Sequence, residues 1–369
     1  MRILMISKAC VVGIYQRKLE EIACLPGIDL QVVVPESWRD PAGEIRLEKA
    51  HTEGYQMAVA PLRFNGYFHL HYFPTLPRLL RDFRPDIVHI DEEPYNLACW
   101  HALRLARRAG ARSLFFSWQN IRRTYPPPFA WGEAWTLKHV DHAIAGTDSA
   151  AEVWRAKGYA GPITVVPQFG IDPQYFQPVS HPAGDPFTIG FAGRLVPEKG
   201  VDLLLRALAD LPGVWRARIL GGGPERDALC AQAAAMNLAD RVEFIDPVPS
   251  TQMASFYHGL DAIVLPSRTR PNWKEQFGRV IIEAMACGVP VIGADSAAIP
   301  GVTGDAGLLF PEGDISALRD RLRQVMESPD LRADLAARGR VRVLENFTHE
   351  RIARQTVAVY HAMMQARPA

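Results

Sequence analysis

Residues 262–295 constrain the fold more than any other stretch of the chain, and they read AIVLPSRTRPNWKEQFGRVIIEAMACGVPVIGAD. Residues 262–265 and 289–292 are short, continuous apolar runs, which are typical of strands buried on both faces of a parallel sheet. Between them, residues 278–287 have the apolar spacing of a helix, Gly288 suits its C-terminal cap, and Pro290 prevents its continuation. This order of strand, helix and strand predicts one unit of a parallel α/β sheet.

The same alternation recurs on both sides of a proline-rich segment. Strand patterns occupy residues 2–7, 30–34, 86–90, 113–117, 143–145 and 163–166 before it, and 187–191, 218–220 and 242–245 after it. The segment itself, residues 167–184, contains four prolines and little periodicity, which is typical of a linker between domains. We therefore predict two doubly wound, Rossmann-like α/β domains facing a cleft, residues 1–178 and 179–345, followed by a C-terminal segment of residues 346–369.

Composition argues against several classes of protein. A net charge of +1 over 369 residues gives no electrostatic support for nucleic-acid binding. The five cysteines are odd in number and form no CxxC pair, which argues against a disulfide framework or a zinc knuckle and fits a reducing compartment. The N-terminal MRILMIS reads as a strand rather than a signal peptide, and no apolar run approaches the roughly 20 residues of a membrane-spanning helix. A cytoplasmic protein is the simplest expectation.

The first half of the chain carries few signals of a cofactor site. The loop after the first strand contains Gly13 but not the G-x-G-x-x-G fingerprint of dinucleotide binding, which argues against a dehydrogenase. Residues 38–72 predict irregular structure with short antiparallel strands. Within them, His69 and His71 form an H-x-H that could bind a metal, but alternating aromatic and polar residues on an edge strand explain it better. We expect no metal site.

Two segments of the first half are candidates for contact with a second substrate. Asp91, Glu92 and Glu93 follow the strand pattern at 86–90, at the edge where ligands of parallel sheets collect. They either face such a ligand or cap a helix that begins near Pro94. The loop at 118–131 combines three consecutive prolines with aromatic and basic residues. That composition fits a substrate lip, a contact with a membrane surface, or simply a rigid loop.

In the second half, the loop after residues 187–191 reads AGRLVPEKG and enters a helix predicted at 201–208. Gly193 permits a tight turn, and Arg194 and Lys199 beside a helix N-terminus suit a diphosphate. This is not a Walker A loop, because G-x-x-x-x-G-K-[ST] is absent. A second glycine-rich turn follows the next strand pattern, and its Gly222 and Gly223 suit close approach by a base or ribose.

Two carboxylates, Glu275 and Glu283, accompany the helix pattern at 278–287. The backbone amides of Phe277 and Gly278 at the helix start favour an anion, so this segment could hold a phosphate on amides and sugar hydroxyls on carboxylates. Two ordinary surface glutamates on a solvated helix are the alternative, and the spacing alone favours that alternative. The basic loop upstream changes the interpretation toward a binding site.

Taken together, these motifs resemble the family-4 retaining glycosyltransferases, which have the glycosyltransferase-B fold. The resemblance rests on GRLVPEKG at 193–200, GGGP at 221–224, EQFGRVIIEAMACGVPVI at 275–292 and GDAGLLFP at 304–311. These motifs cover most of the second half. In the first half the support is limited to the strand pattern, VVPQFGIDPQYF at 165–176, and Gly13.

The resemblance implies a metal-independent enzyme that moves a sugar, with retention, from a nucleotide-diphosphate sugar to a hydroxyl of a saccharide, lipid-linked or small-molecule acceptor. It implies that Arg194 and Lys199 bind the diphosphate, Glu283 the ribose and Glu275 the sugar hydroxyls. The implied donor site is completed by Gly13, Gly193, Gly222, Gly223, Phe277 and Gly278. The absence of an Asp-x-Asp motif agrees with a reaction that needs no metal cofactor. The last helix, from about residue 349 to 364, is implied to return to the first domain.

The chain departs from the family pattern at three places. Val12 precedes Gly13 where a glycine pair is usual, Gln119-Asn120 stand where a His often faces the acceptor, and Gly301 stands where Glu is frequent. The acceptor-side candidates are Asp91, Glu92, Gln119 and Asn120. Two rival interpretations remain: an epimerase or phosphorylase with the same fold, and a non-catalytic subunit that binds sugar nucleotides. The intact pair of glutamates favours an enzyme.

Overall fold

The computed structural model describes residues 1–40, 43–179 and 186–366. Its strands are β1 (Arg2–Ile6), β2 (Asp29–Pro35), β3 (Ser37–Asp40), β4 (Gly43–Arg46), β5 (Gln56–Ala60), β6 (Ile87–Ile90), β7 (Arg112–Ser117), β8 (His142–Ala145), β9 (Ile163–Val165), β10 (Phe187–Ala192), β11 (Trp215–Leu220), β12 (Val242–Ile245), β13 (Ala262–Leu265), β14 (Val291–Asp295) and β15 (Leu308–Pro311). Its helices are α1 (Arg17–Ala23), α2 (Leu76–Phe83), α3 (Leu97–Arg108), α4 (Phe129–His139), α5 (Asp148–Ala156), α6 (Val201–Ala209), α7 (Arg226–Ala235), α8 (Met253–His258), α9 (Arg279–Ala286), α10 (Ile299–Thr303), α11 (Ile315–Glu327), α12 (Pro329–Asn346) and α13 (His349–Gln365).

The chain divides into two compact units, one made of Met1–Gly170 with His349–Ala369 and the other of Ile171–Thr348. The predicted domain ends were residues 178 and 345. The chain passes from the first unit to the second at Gly170, earlier than the predicted residue 178, because the residues after Gly170 are fixed within the second unit. Ile171 forms a parallel bridge with Thr348, and Arg340 donates to the carbonyl oxygens of Pro173 and Phe176. Of the predicted linker, residues 180–185 lie outside the described residues.

The first unit contains a parallel sheet of seven strands in the order β5-β2-β1-β6-β7-β8-β9. Its central strands β1, β6, β7 and β8 are apolar and buried because helices cover both faces. On one face, Leu80 of α2 and Leu103 of α3 join the core, and on the other Leu19 of α1 packs with residues of α13. The strand order reverses between β1 and β6, and this doubly wound arrangement confirms the predicted fold class.

The last helix, α13, is an integral part of the first unit. Ile352, Val357 and Tyr360 of this helix belong to the same apolar core as β1 and β2. The hydroxyl of Tyr360 lies 2.6 Å from Nδ1 of His89, and both side chains are buried. Burial lowers the pKa of His89 to about 3, so its imidazole is neutral at physiological pH. The first unit therefore needs sequence from both ends of the chain.

The second unit contains a parallel sheet of six strands in the order β12-β11-β10-β13-β14-β15. Helix α6 packs beside α7 and α11, while α9 packs beside α8, α10 and α12. The order reverses between β10 and β13, so this unit has its own doubly wound sheet and its own switch point.

One local expectation for the first half is confirmed in part, and another is wrong. Residues 38–72 contain the short antiparallel pair of β3 and β4 and an antiparallel bridge between Arg63 and Tyr72, whereas β5 joins the main sheet parallel to β2. Residues 129–131, expected in a loop, begin helix α4. Among the described residues, no helix has the length and apolarity needed to cross a membrane.

Candidate active site

In the second unit, the candidate residues lie where the sheet reverses its strand order. The loop after β10 carries Gly193, Arg194 and a short 3-10 turn at Pro197–Lys199. The loop after β13 carries Glu275. Because β10 and β13 are parallel neighbours, both loops leave the same edge of the sheet. Ligands of open α/β sheets bind at such a point.

An ion pair joins these two loops. Lys199 Nζ lies 2.6 Å from Glu275 Oε2, which also accepts a hydrogen bond from Ser267 Oγ at 3.0 Å. Glu275 is 7% exposed, whereas the Lys199 side chain keeps 22% of its surface exposed. The ammonium of Lys199 also lies 5.1 Å from the ring centroid of Trp273. The carboxylate thus fixes the position of the lysine while leaving part of the lysine open to a ligand.

Arg194 is exposed on the same loop, and no ion pair joins it to the residues that the structure describes. The loop itself is held by Arg268, a residue that sequence analysis missed. Arg268 donates to both carboxylate oxygens of Asp202, at 2.6 and 3.2 Å, and to Pro197 O at 2.6 Å. Its backbone amide donates to Glu198 O at 2.7 Å. No sequence pattern indicates Arg268, because Asp202 lies 66 positions away.

The glycine-rich turn after β11 packs against the loop that carries Arg194. A Cβ added to Gly221 would lie 1.8 Å from Gly193 O, and one added to Gly223 would lie 2.3 Å from Leu195 O. Leu195 N donates to Gly222 O at 2.8 Å, so the two loops are joined through their backbones. This close packing gives Gly221 and Gly223 a structural reason to be glycine. Contact of Gly222 and Gly223 with a base or ribose stays a prediction.

Helix α9 begins at this edge of the sheet with Gly278 as its N-cap residue. The φ of Gly278 is 75°, in the left-handed region where other residues are strained. A glycine cap has no side chain that covers the N-terminus of the helix, so a ligand can approach the backbone closely there. Phe277 is buried beside this cap, with its ring centroid 5.7 Å from that of Phe347.

Glu283 lies on α9 and is 5% exposed. Its Oε2 accepts a hydrogen bond from the Tyr257 hydroxyl at 2.7 Å, and its Oε1 lies 2.7 Å from Arg279 Nε. Burial raises the pKa of the Glu283 carboxyl, while Arg279 and Tyr257 act to lower it. Burial also raises the pKa of Tyr257 well above its usual value, so its hydroxyl donates rather than accepts. Tyr257 too was missed, since it lies 26 positions from Glu283.

Gly13, the donor-binding candidate of the first half, lies in the first unit after β1. It begins a short 3-10 turn, Gly13–Gln16, and its amide donates to Glu48 Oε2 at 2.6 Å. A Cβ at this position would lie 2.7 Å from Ala50 Cβ. The amide is therefore already paired within the unit, and contact of Gly13 with a donor stays a prediction.

Acidic residues follow β6, next to the switch point of the first sheet. Asp91 accepts hydrogen bonds from Ser7 Oγ at 2.5 Å and from Gln168 Nε2 at 2.7 Å. Glu92 pairs with the ammonium of Lys8, the second residue after β1. Both acids are buried, so these pairs tie the ends of β1 and β6 together rather than lying on a solvated surface.

Glu93 accepts hydrogen bonds from Ser117 Oγ at 2.6 Å and from Trp118 N at 2.9 Å, at the end of β7. Burial raises the pKa of Glu93 to about 7. The proposed capping role of this acidic cluster is wrong. Helix α3 begins at Leu97 rather than near residue 94, its N-cap is Asn96, and no side chain makes a cap hydrogen bond.

His69 and His71 lie in a segment of turns, so their assignment to an edge strand is wrong. His71 Nε2 lies 3.3 Å from Glu92 Oε2, and its Nδ1 is 2.9 Å from Phe68 O. Burial alone would raise the pKa of Glu92, but Lys8 and His71 outweigh it and lower the pKa to about 2. Across the described parts of the chain, no three His, Cys, Asp or Glu side chains converge on a possible metal position.

Gln119 and Asn120, the remaining acceptor-side candidates, are buried after the end of β7. Gln119 Nε2 donates to Ile121 O at 3.0 Å, and Lys157 Nζ lies 3.5 Å from Gln119 Oε1. Lys157 also pairs with Glu133 at 2.6 Å. The four acceptor-side candidates thus share the carboxyl edge of one sheet, while their role toward an acceptor stays a prediction.

Two family profiles match the chain. The profile described as "Glycosyltransferase Family 4" matches residues 26–175, and "Glycosyl transferases group 1" matches residues 174–342. The first match falls on the first unit, and the second falls on the unit that holds Arg194, Lys199, Glu275 and Glu283.

Among curated proteins, the chain is similar to enzymes named D-inositol 3-phosphate glycosyltransferase. The protein from Mycolicibacterium smegmatis is 32% identical over 219 residues, which is 55% of this chain and 49% of the relative. The protein from Mycobacterium marinum is 32% identical over 277 residues, which is 70% of this chain and 53% of the relative. The chain therefore spans about half the length of these relatives.

Solved structures share the fold over nearly the whole chain. Sucrose-phosphate synthase from Thermosynechococcus elongatus superposes with a TM-score of 0.74 and 22% identity, covering 100% of both chains. Anabaena Alr3699/HepE in complex with UDP gives a TM-score of 0.75 and 19% identity, covering 98% of this chain and 100% of that one. With both units matched by family profiles and by these structures, the chain belongs to the family-4 glycosyltransferases with the glycosyltransferase-B fold.

Proposed function

We propose that this chain is a retaining, metal-independent glycosyltransferase that moves a sugar from a nucleotide-diphosphate sugar to a hydroxyl acceptor in glycan, polysaccharide or glycolipid synthesis. The observation that carries the proposal is the 2.6 Å contact between Lys199 and Glu275 beside exposed Arg194. A cation suited to a diphosphate and a carboxylate suited to sugar hydroxyls meet at one sheet edge. Alr3699/HepE, which shares the fold, was solved with UDP and with UDP-glucose, which supports a donor of this class.

In this proposal the second unit recognises the donor. Arg194 and Lys199 bind the diphosphate, and the N-terminus of α9 adds partial positive charge. Glu283, fixed by Tyr257, accepts hydrogen bonds from the ribose. Glu275 accepts hydrogen bonds from the hydroxyls of the sugar. When the donor binds, these side chains lose part of the hydrogen bonds described above and form hydrogen bonds with the donor.

The chemical step that we propose breaks the bond between the anomeric carbon and the diphosphate oxygen. A bond between that carbon and the acceptor oxygen forms on the face from which the diphosphate leaves. The acceptor proton passes to an oxygen of the departing diphosphate. Arg194 and Lys199 offset the negative charge that develops there, which is the role a metal ion has in other transferases.

Calorimetric titration tests the donor site. UDP, GDP, ADP and their sugars are titrated into the wild type and into the Arg194→Ala/Lys199→Ala variant. We expect one nucleotide class to bind the wild type, and about a hundredfold weaker binding by the variant, because two charge-assisted contacts are lost. Arg206→Ala removes an exposed arginine of α6 and should bind like the wild type.

Four results would count against parts of this proposal. Binding of no nucleotide would remove the basis of the donor site. Binding without turnover over a broad panel of acceptors would favour a non-catalytic subunit. A phosphorylase requires a pyridoxal group on a lysine, so absorbance of that group in the purified protein would favour it. Near-normal turnover by the double variant would contradict the roles given to Arg194 and Lys199.

We further propose that the protein works in the cytoplasm and contacts the membrane through an aromatic surface of the first unit. That surface consists of Phe64, Tyr67, Phe68, Leu70 and Trp131, each at least 40% exposed. His69 joins its two segments through ring contacts with Tyr125 and Phe129. Exposed Arg63 and Arg122 adjoin these segments in sequence, so an anionic lipid surface complements the surface in charge and in apolarity. All five cysteines are free, in keeping with a reducing compartment.

Vesicle flotation tests the aromatic surface. With vesicles of phosphatidylglycerol and phosphatidylcholine, we expect the bound fraction to fall about fivefold in Tyr67→Ser/Trp131→Ser, because both side chains lose their interfacial burial. Val214→Ser/Val341→Ser removes two exposed apolar side chains of the second unit and is the matched control. Equal flotation of both variants would contradict the proposed surface.

A further inference from the structure

A basic pocket lies in the first unit, away from every candidate discussed above. Its cavity is about 690 Å³ in volume and is lined by five arginines and a single carboxylate: Arg2, Arg81, Arg84, Arg108, Arg112 and Asp86. Leu80, Leu105 and Met364 provide an apolar wall. Five arginines line this one pocket, whereas the net charge of the whole chain is only +1.

Five arginines and one carboxylate leave the described lining of the pocket with a net positive charge. Asp86 Oδ2 accepts a hydrogen bond from the backbone amide of Arg2 at 2.7 Å, not from a guanidinium. Arg112 donates to a backbone carbonyl, that of Ala366. No salt bridge between described residues involves any of the five arginines. Four of them, all but Arg112, are exposed at the surface of the first unit.

Arginines near the C-terminal ends of helices interact favourably with the helix dipole, which accounts for a basic residue in the last turn of α2 or α3. It does not account for Arg2 and Arg112, which begin strands β1 and β7. In a parallel sheet these strand starts share one edge, and Asp86 precedes β6 between them. Helix ends and strand starts therefore converge with the same charge on one cavity.

The pocket lies at the opposite edge of the sheet from the acceptor-side candidates. Lys8 and Glu92 follow the carboxyl ends of β1 and β6, whereas Arg2 and Asp86 stand at their amino ends. The aromatic surface adjoins the carboxyl edge as well, since Phe68 lies under the ammonium of Lys8 with 4.7 Å to its ring centroid. A ligand in the basic pocket is therefore separate from the acceptor and from the aromatic surface.

We infer that this pocket binds a phosphate-bearing anion at a second site, distinct from the proposed donor site. Guanidinium groups recognise phosphate oxygens by paired, charge-assisted hydrogen bonds, and several of them suit a diphosphate or a phosphomonoester. The apolar wall suits a ligand with a non-polar part next to its phosphate. A dissolved phosphate compound and a lipid headgroup share this chemistry, and binding assays separate the two sources.

The decisive assay is titration of inorganic pyrophosphate into the Arg194→Ala/Lys199→Ala protein, in which the proposed donor cradle is absent. Adding Arg81→Gln/Arg108→Gln should weaken pyrophosphate binding about tenfold or more, because two exposed phosphate contacts are lost. Arg46→Gln/Arg104→Gln removes the same charge from exposed positions outside the pocket and should change binding little. Raising the salt concentration should weaken pyrophosphate binding by the Arg194→Ala/Lys199→Ala protein whose five pocket arginines are intact.

Flotation with phosphatidylglycerol vesicles forms the second arm. Loss of pyrophosphate binding in Arg81→Gln/Arg108→Gln alone supports a dissolved ligand. Loss of flotation in that variant, with the control unchanged, supports a lipid headgroup. The inference is overturned if neither pyrophosphate binding nor flotation differs between Arg81→Gln/Arg108→Gln and its control. Circular dichroism of both variants tests whether a loss of binding is due to unfolding. Because donor binding is removed beforehand, failure here leaves the proposed function unaffected.

Discussion

Glu93 is a buried carboxyl whose pKa is raised into the physiological pH range. Burial raises its pKa from 4.5 to about 7, whereas the carboxyl of the unfolded chain keeps its ordinary value. A raised pKa in the folded state gives stability that is fully present below pH 4.5 and is lost as the pH rises toward 7. The difference in proton affinity corresponds to about 3 kcal/mol.

We therefore expect the free energy of unfolding of the wild type, relative to Glu93→Gln, to fall by about 3 kcal/mol between pH 5 and pH 8. Taking the difference removes the contributions of His89 and other groups common to both proteins. Urea denaturation at several pH values measures this difference in the free energy of unfolding. Glu152→Gln, an exposed substitution on α5, is the control and should parallel the wild type. A difference independent of pH would show that Glu93 is not protonated in the folded state.

At the level of single residues, the sequence identifies candidates for the donor site better than candidates for the acceptor site. Arg194, Lys199, Glu275 and Glu283 lie within short motifs, so local reading is enough to single them out. Their partners are not local: Ser267, Arg268 and Tyr257 become relevant only through the fold. The acceptor side depends on contacts such as the pair of Lys8 with Glu92, 84 positions apart, which no pattern in the sequence indicates.

At the scale of secondary-structure elements, the contact between the glycine-rich turn and the loop that carries Arg194 can be tested by substitution. The test asks whether this contact positions Arg194. In Gly223→Ala the new methyl group would lie 2.3 Å from Leu195 O, and the φ of 155° is unfavourable for alanine. We expect a loss of about 1–3 kcal/mol in stability and at least about tenfold weaker nucleotide binding, since the Arg194 loop must move. Denaturation and calorimetry measure the two effects.

Gly301→Ala is the control for this substitution. A Cβ at Gly301 would meet no atom of the described residues within 4 Å. If both variants bind nucleotide equally well, the packing of the two loops does not position Arg194.

Strands and helices were predictable where local pattern and burial agree. The apolar runs that become β12 and β13 predict those strands residue for residue. Strand β5 was missed because its sequence, QMAVA, is half-buried at a sheet edge and its partner β2 lies more than twenty positions earlier. Helix α4 was hidden by the prolines that precede it.

At the scale of the whole molecule, the two units differ in that one is a continuous segment of the chain and the other combines two segments. The second unit is continuous, residues 171–348, so we expect this fragment alone to unfold cooperatively in urea and to bind the nucleotide that the full chain binds. Residues 1–170 lack α13, and the apolar surface that receives Ile352, Val357 and Tyr360 would face water. We expect that fragment to lack a cooperative transition.

A third protein controls for truncation itself. In it, a short Gly/Ser linker replaces residues 171–348 and joins residue 170 to residue 349. Ile171 and Thr348 pair directly, so the two chain ends that the linker must connect are close together. Cooperative unfolding of this protein is expected; a cooperative transition in residues 1–170 alone would show that α13 is dispensable.

The split of the first unit between both ends of the chain also sets an order of events during synthesis. Residues 1–170 leave the ribosomal exit tunnel first, but they cannot complete their apolar core until α13 has also emerged. The second unit is entirely outside the exit tunnel shortly before that moment. The half that is translated first is therefore the last to mature, and its uncovered apolar face is the nascent surface that a chaperone would meet.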